Sequence, residues 1–134
     1  MANIPEAAGD LAACTATEIA RLVGAREASP VEVAQAALDR IDTVNDPINA
    51  VVTINEQLLD QARSLEHTLS AGGVPGPLCG VPVGIKDVTP VAGIRTTYGS
   101  PLFANHVPDE DALVVERLKA AGALIRHHPL KPAV

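Results

Sequence analysis

Residues 80–87 read Gly80-Val81-Pro82-Val83-Gly84-Ile85-Lys86-Asp87. No other stretch constrains the fold as much as this short apolar run closed by a lysine. It predicts a strand over 81–87, with its proline early, where the loss of a donor is tolerable. A lysine entering an apolar core is expensive, because the interior disfavours the ammonium form. Such a lysine is either paired with a carboxylate or carries a neutral amine that can take a proton. The second case makes Lys86 a candidate general base, at the strand end with its amine directed inward. The other reading is a strand-end lysine whose stem covers apolar surface while its head reaches water beside Asp87. The local pattern leaves both open.

The flanking sequence supplies helices in alternation. Thr15-Ala16-Thr17-Glu18 and Ser29-Pro30-Val31-Glu32 are both capping boxes, the second with proline at the first helical position. The first helix is expected to reach Val23 and stop at Gly24. The second is expected to run to about Val44, with Ala34, Ala37, Leu38 and Ile41 on its apolar face, and to end at Asn45-Asp46-Pro47. Residues 49–54 read as a short buried strand. Asn55 then caps a third helix over 56–70, packed through Leu58, Leu59, Ala62, Leu65 and Leu69.

Residues 72–77 form a Gly/Pro-rich connector without the Gly-Lys-Ser/Thr ending of a phosphate-binding loop. After the 81–87 strand, an irregular connection over 88–107 holds Thr96, Thr97, Tyr98, Gly99 and Ser100. Long loops of this kind often carry function. Asp109 or Asp111 caps a fourth helix ending near Ala121, with Gly122 as its stop, and Ala123-Leu124-Ile125 opens a strand. Strands alternating with helices imply an α/β fold with a mixed, largely parallel sheet. Residues 1–13 read as a mobile lead.

Composition removes whole classes of function. The chain of 134 residues is 47% hydrophobic, enough for one packed domain. Tyr98 and Phe103 are its only aromatics, and its formal net charge is −6. Both facts argue against nucleic-acid binding, which needs basic surface and stacking platforms. Cys14 and Cys79 match no zinc or redox spacing and read as free thiols of a reducing compartment. Without a basic, apolar leader or a long apolar run, neither a signal peptide nor a membrane span is expected, so the cytoplasm is the expected location. His127 and His128 are adjacent and would point apart in a strand, while His67 and His106 read as solvated surface residues. No metal site and no cofactor are expected.

Three blocks in order carry a family resemblance. The first is Gly76-Pro77-Leu78-Cys79 followed by the 80–87 run. The second is Gly93-Ile94-Arg95-Thr96-Thr97-Tyr98-Gly99-Ser100. The third is Val107-Pro108-Asp109-Glu110-Asp111-Ala112, leading into residues 114–123. Together they resemble the amidase signature family, with weaker similarity back to about Leu11. The resemblance implies the N-terminal part of an α/β/α sandwich and a hydrolase that cleaves carboxylic amides through a Ser-Ser-Lys triad. Lys86 occupies the position of the triad base.

The chain also departs from that pattern. Its only serines are Ser29, Ser64, Ser70 and Ser100, and none lies in a Gly-Ser-Ser-Gly-Gly-like run. Gly99-Ser100 reads as a turn near the substrate pocket, and Asp87 as orienting Lys86 or capping the following loop. Amidase-like sequence covers 14–125, and 126–134 form a divergent tail. The expectation is therefore an incomplete amidase with a base and no nucleophile, inactive alone, which takes a small-molecule amide only when a missing region completes it. The alternative is a non-catalytic α/β interaction module built on the same scaffold. Apolar strands without their partners lead to an expectation of homo-oligomers or aggregation.

Overall fold

The computed structural model describes residues 11–129. Four α-helices and three strands follow in the order α1 (Ala16–Gly24), α2 (Pro30–Ile48), β1 (Val51–Ile54), α3 (Leu58–Ser70), β2 (Pro82–Gly84), α4 (Leu113–Ala120) and β3 (Leu124–Pro129). Short 3-10 turns occupy Leu11–Ala13 and Pro101–Phe103. The sheet order is β1-β3-β2, with β3 antiparallel to β1 and parallel to β2. This is the α/β class with the mixed sheet that the alternating pattern implied. None of the described helices is long and apolar enough to cross a membrane.

Both capping boxes form. Glu18 Oε2 accepts from Thr15 N at 2.7 Å, and Thr15 Oγ1 accepts from Glu18 N at 3.2 Å. At α2, Ser29 Oγ accepts from Glu32 N at 3.0 Å and Glu32 Oε2 accepts from Ser29 N at 2.8 Å. Two amides without helical partners are thereby satisfied at each start. Replacing Ser29 by alanine is expected to cost about 1 kcal/mol, read as a lower urea midpoint at unchanged slope.

The apolar faces meet in three clusters. Ile19, Leu22 and Val23 of α1 pack with Val33, Leu69, Cys79 and Val81, and Leu11 lies against them. Ile85, Val91, Ile94, Val115 and Ile125 form the second cluster, beside β2 and β3. Ala34, Leu58, Ala62 and Leu124 form the third, where α2 and α3 cross the sheet. Of the lead expected over 1–13, residues 1–10 lie outside the described residues, and Leu11 is docked on the first cluster.

Several boundaries differ from the sequence reading, each for a tertiary reason. Helix α2 does not stop at Asn45 but continues through Pro47 to Ile48, ending on a left-handed Asn49. The Asn45 side chain is taken up by β1, accepting from Val51 N at 2.8 Å and donating to Val51 O at 3.1 Å. Helix α3 begins at Leu58 rather than Glu56. Asn55 accepts from Gln57 N at 3.0 Å, but its amide donates to Ile125 O at 2.7 Å, tying the turn to β3. Strand β2 is shorter than 81–87. Neither Asp109 nor Asp111 caps α4: Ala112 sits at that position, and Asp111 bridges Ala92 N at 2.8 Å and Lys119 Nζ at 2.7 Å. Strand β3 continues past Ile125 to Pro129, where its backbone pairs with β1. Arg126–Pro129 of the expected tail are thus part of the sheet, and residues 130–134 lie outside the described residues.

Candidate functional site

Beyond Gly84 the chain leaves the sheet. Ile85 turns into the second core cluster, Lys86 is exposed and Asp87 is buried again. The Lys86 carbonyl accepts from Thr89 N at 2.9 Å, closing a turn. Lys86 therefore stands two residues past the end of β2, close to the position expected, but its side chain is exposed and not directed inward. The physical reason is local: with Ile85 and Asp87 both turned inside, the residue between them faces out.

Asp87 does not reach for Lys86. Its carboxylate is only 3% exposed, and both oxygens are taken by one residue of the following loop. Oδ1 accepts from Thr97 N at 2.7 Å, and Oδ2 accepts from Thr97 Oγ1. Thr97 Oγ1 in turn accepts from Gly99 N at 3.2 Å, and Thr97 O from Ser100 N at 2.9 Å. Of the two roles considered for Asp87, the structure has it holding the loop.

That loop forms one wall of a groove of about 360 Å³. Asp87, Arg95, Thr97 and Ser100 line it together with Val51 and Val52 of β1. Its size falls in the range of small-molecule sites. Lys86 does not line it. Ser100 does, with its Oγ accepting from Leu102 N at 3.3 Å as the cap of the Pro101–Phe103 turn. The reading of Gly99-Ser100 as a turn beside a pocket agrees with this geometry.

Arg95 is the residue that sequence reasoning passed over. Nη1 donates to Ala104 O at 3.0 Å, while Nη2 donates to Val52 O and Thr53 Oγ1, each at 3.3 Å. One guanidinium thus staples the loop to β1. No local signal marks it, because its partners on β1 lie more than forty residues away in sequence. Tyr98, with φ of +53°, stacks edge-on against Phe103 at 5.1 Å and lies 5.9 Å from the His106 ring, so His106 belongs to an aromatic cluster on the surface.

The remaining candidates carry little chemistry. Cys79 is buried, and that burial pushes its thiol up from the ordinary value, the opposite of an activated nucleophile. Among the described residues, no group of three His, Cys, Asp or Glu side chains is placed to hold a metal ion. His67 is exposed on α3.

Three comparisons bear on this geometry. The amidase family model matches residues 32–127. One subunit of the glutamyl-tRNA(Gln) amidotransferase of Carboxydothermus hydrogenoformans is 49% identical over 111 residues, which are 82% of this chain and 23% of that protein. An acylamidase of Rhodococcus erythropolis is 43% identical over 111 residues, again 82% of this chain and 23% of the relative. Among solved structures, the peptide amidase of Stenotrophomonas maltophilia superposes with a TM-score of 0.84 at 28% identity, covering 90% of this chain and 25% of that one. The chain thus spans about a quarter of the length of the proteins it matches.

Proposed function

We propose, from the premise that this chain belongs to the amidase family, that it carries the proton-transfer part of an amide-cleaving site. Lys86 is the general base of a Ser-Ser-Lys triad. The two serines come from sequence that these 134 residues do not span. In that mechanism one serine attacks the amide carbonyl, the second relays its proton to the lysine amine, and the proton returns to the leaving amine. Backbone amides of a Gly/Ser-rich segment would hold the developing oxyanion. The substrate class is a small carboxylic amide.

One observation supports this reading above the rest. Lys86 presents an exposed side chain from a backbone fixed on both sides, by buried Ile85 and by buried Asp87. Among the described residues, no carboxylate forms an ion pair with its amine. An amine so placed is free to meet a hydroxyl delivered by the rest of an amidase fold.

The proposal is tested in two arms. The 134-residue chain is expected to hydrolyse a chromogenic amide no faster than its Lys86→Ala variant, since it holds no activated serine. Residues 1–127 placed in the matching segment of the Rhodococcus erythropolis acylamidase are expected to restore turnover. Lys86→Ala in that chimera is expected to lower kcat by on the order of 10²–10⁴-fold, the usual contribution of a positioned base. A folded but inactive chimera, or one indifferent to Lys86→Ala, would count for the non-catalytic module instead.

A further inference from the structure

We propose that Asp87 is a positioning residue for Lys86: through Thr97 it ties the base-bearing segment to the loop that walls the groove. This rests on Lys86 being the base.

A carboxylate at 3% exposure loses nearly all its hydration. Burial of a charge is ordinarily offset by an opposite charge. Among the described residues Asp87 is in no ion pair. It is held instead by two neutral donors of one residue, Thr97 N at 2.7 Å and Thr97 Oγ1. A neutral side chain would cost less to bury if stability alone were at issue. Costly local arrangements of this kind concentrate where a site has to be rigid.

What Asp87 grips is itself fastened. Thr96 N donates to His106 O at 2.9 Å and Gly93 N to Pro108 O at 3.0 Å, closing the loop on its own far end. Arg95 staples the same loop to β1. On the other side of Lys86, Ile85 is locked in the cluster with Val91, Ile94, Val115 and Ile125. The lysine backbone is therefore clamped between the core and a braced loop. Removing the Asp87–Thr97 link frees the second clamp and leaves the first. The base then samples more positions. A displacement of about 1 Å at a reacting group costs on the order of 10²-fold in rate.

The test uses the acylamidase chimera for kinetics and the 134-residue chain for the link itself. In the chimera, Asp87→Ala, which removes both bonds, is expected to lower kcat on the order of 10²-fold, and Thr97→Val, which removes the hydroxyl donor and leaves Thr97 N, is expected to lower it in the same direction. Thr97→Ser keeps both donors and is expected to retain wild-type kcat, which a loss of packing at position 97 would not allow. In the 134-residue chain, Asp87→Ala, which leaves in place the Thr97 oxygens that accept from Gly99 N and Ser100 N, is expected to speed amide exchange at Gly99 and Ser100 while Leu124 in β3 stays protected. If Asp87→Ala does not fold, the Thr97→Val and Thr97→Ser pair decides the matter. An active chimera that depends on Lys86 and is indifferent to Asp87→Ala and Thr97→Val overturns this proposal alone. So does a Thr97→Ser variant as impaired as Thr97→Val. A chimera indifferent to Lys86→Ala sinks the base assignment and this proposal with it.

Discussion

Gly122→Ala is expected to remove roughly 2–5 kcal/mol of stability, which for a chain this size means a melting temperature lower by on the order of 10 °C or failure to fold. Two costs add. Gly122 has φ of +95°, a left-handed backbone that an L side chain adopts only under strain. A Cβ there would also stand 2.9 Å from Cys79 Cα and 3.2 Å from Cys79 N. Those are backbone atoms and have no rotamer to yield. They cannot shift cheaply either, because Gly80 N donates to Gly122 O and Leu78 N to Ala121 O, each at 2.9 Å. The close approach is how the stop of α4 is seated on the segment leading into β2. Gly93→Ala separates the two costs. Its φ is +76°, yet a Cβ there meets nothing within 4 Å, so it carries the strain alone, about 1–2 kcal/mol. Chemical denaturation of both variants gives the difference. Equal losses would show that the contact with Cys79 relaxes at no cost.

At micromolar concentration the purified chain is expected to self-associate and to bind hydrophobic dye. Leu102 is 91% exposed, and Leu113, Val114, Val88 and Val107 are each about half exposed or more. These five lie between β2 and the end of α4, and Ile48 and Val74 are exposed before β2 as well. Among the described strands, β1 and β2 are each paired on one side only. An unpaired strand edge is a template for another chain. Burying one exposed Leu or Val side chain contributes on the order of 1.5–3 kcal/mol, so a few such contacts suffice to drive association. Light scattering and dye fluorescence are the measurements. Replacing Leu113 and Val114 together by lysine should lower both signals, because the two lie on the exposed face of a short helix. A monodisperse monomer without dye binding, in the unmodified chain, would defeat this expectation and favour a self-sufficient module.

The local rules of the chain reach only as far as local physics does. Thr15 and Ser29 announce their helices because a capping box is closed within four residues, and both boxes form as read. Gly122 is legible as a helix stop for the same reason. The α/β class, the mixed sheet and the family follow from alternation and from ordered blocks. Lys86 stands near a strand end because the apolar run before it is contiguous.

What the sequence left undecided are the uses of polar side chains whose partners are distant. Asn55 has the chemistry of a cap, and its amide goes to Ile125 O, seventy residues on. Asn45 looks like a terminator and instead stays helical, because β1 takes its side chain. Asp87 and Arg95 sit in plain view in their blocks, but nothing within a few residues says that one grips Thr97 and the other β1. Even the direction of Lys86 belongs to this group, since it follows from where its two neighbours are buried. A hydrogen bond closed over three or four residues is specified by spacing alone. One closed over ten to seventy exists only after packing has brought the two ends together, and so the tertiary structure alone decides it.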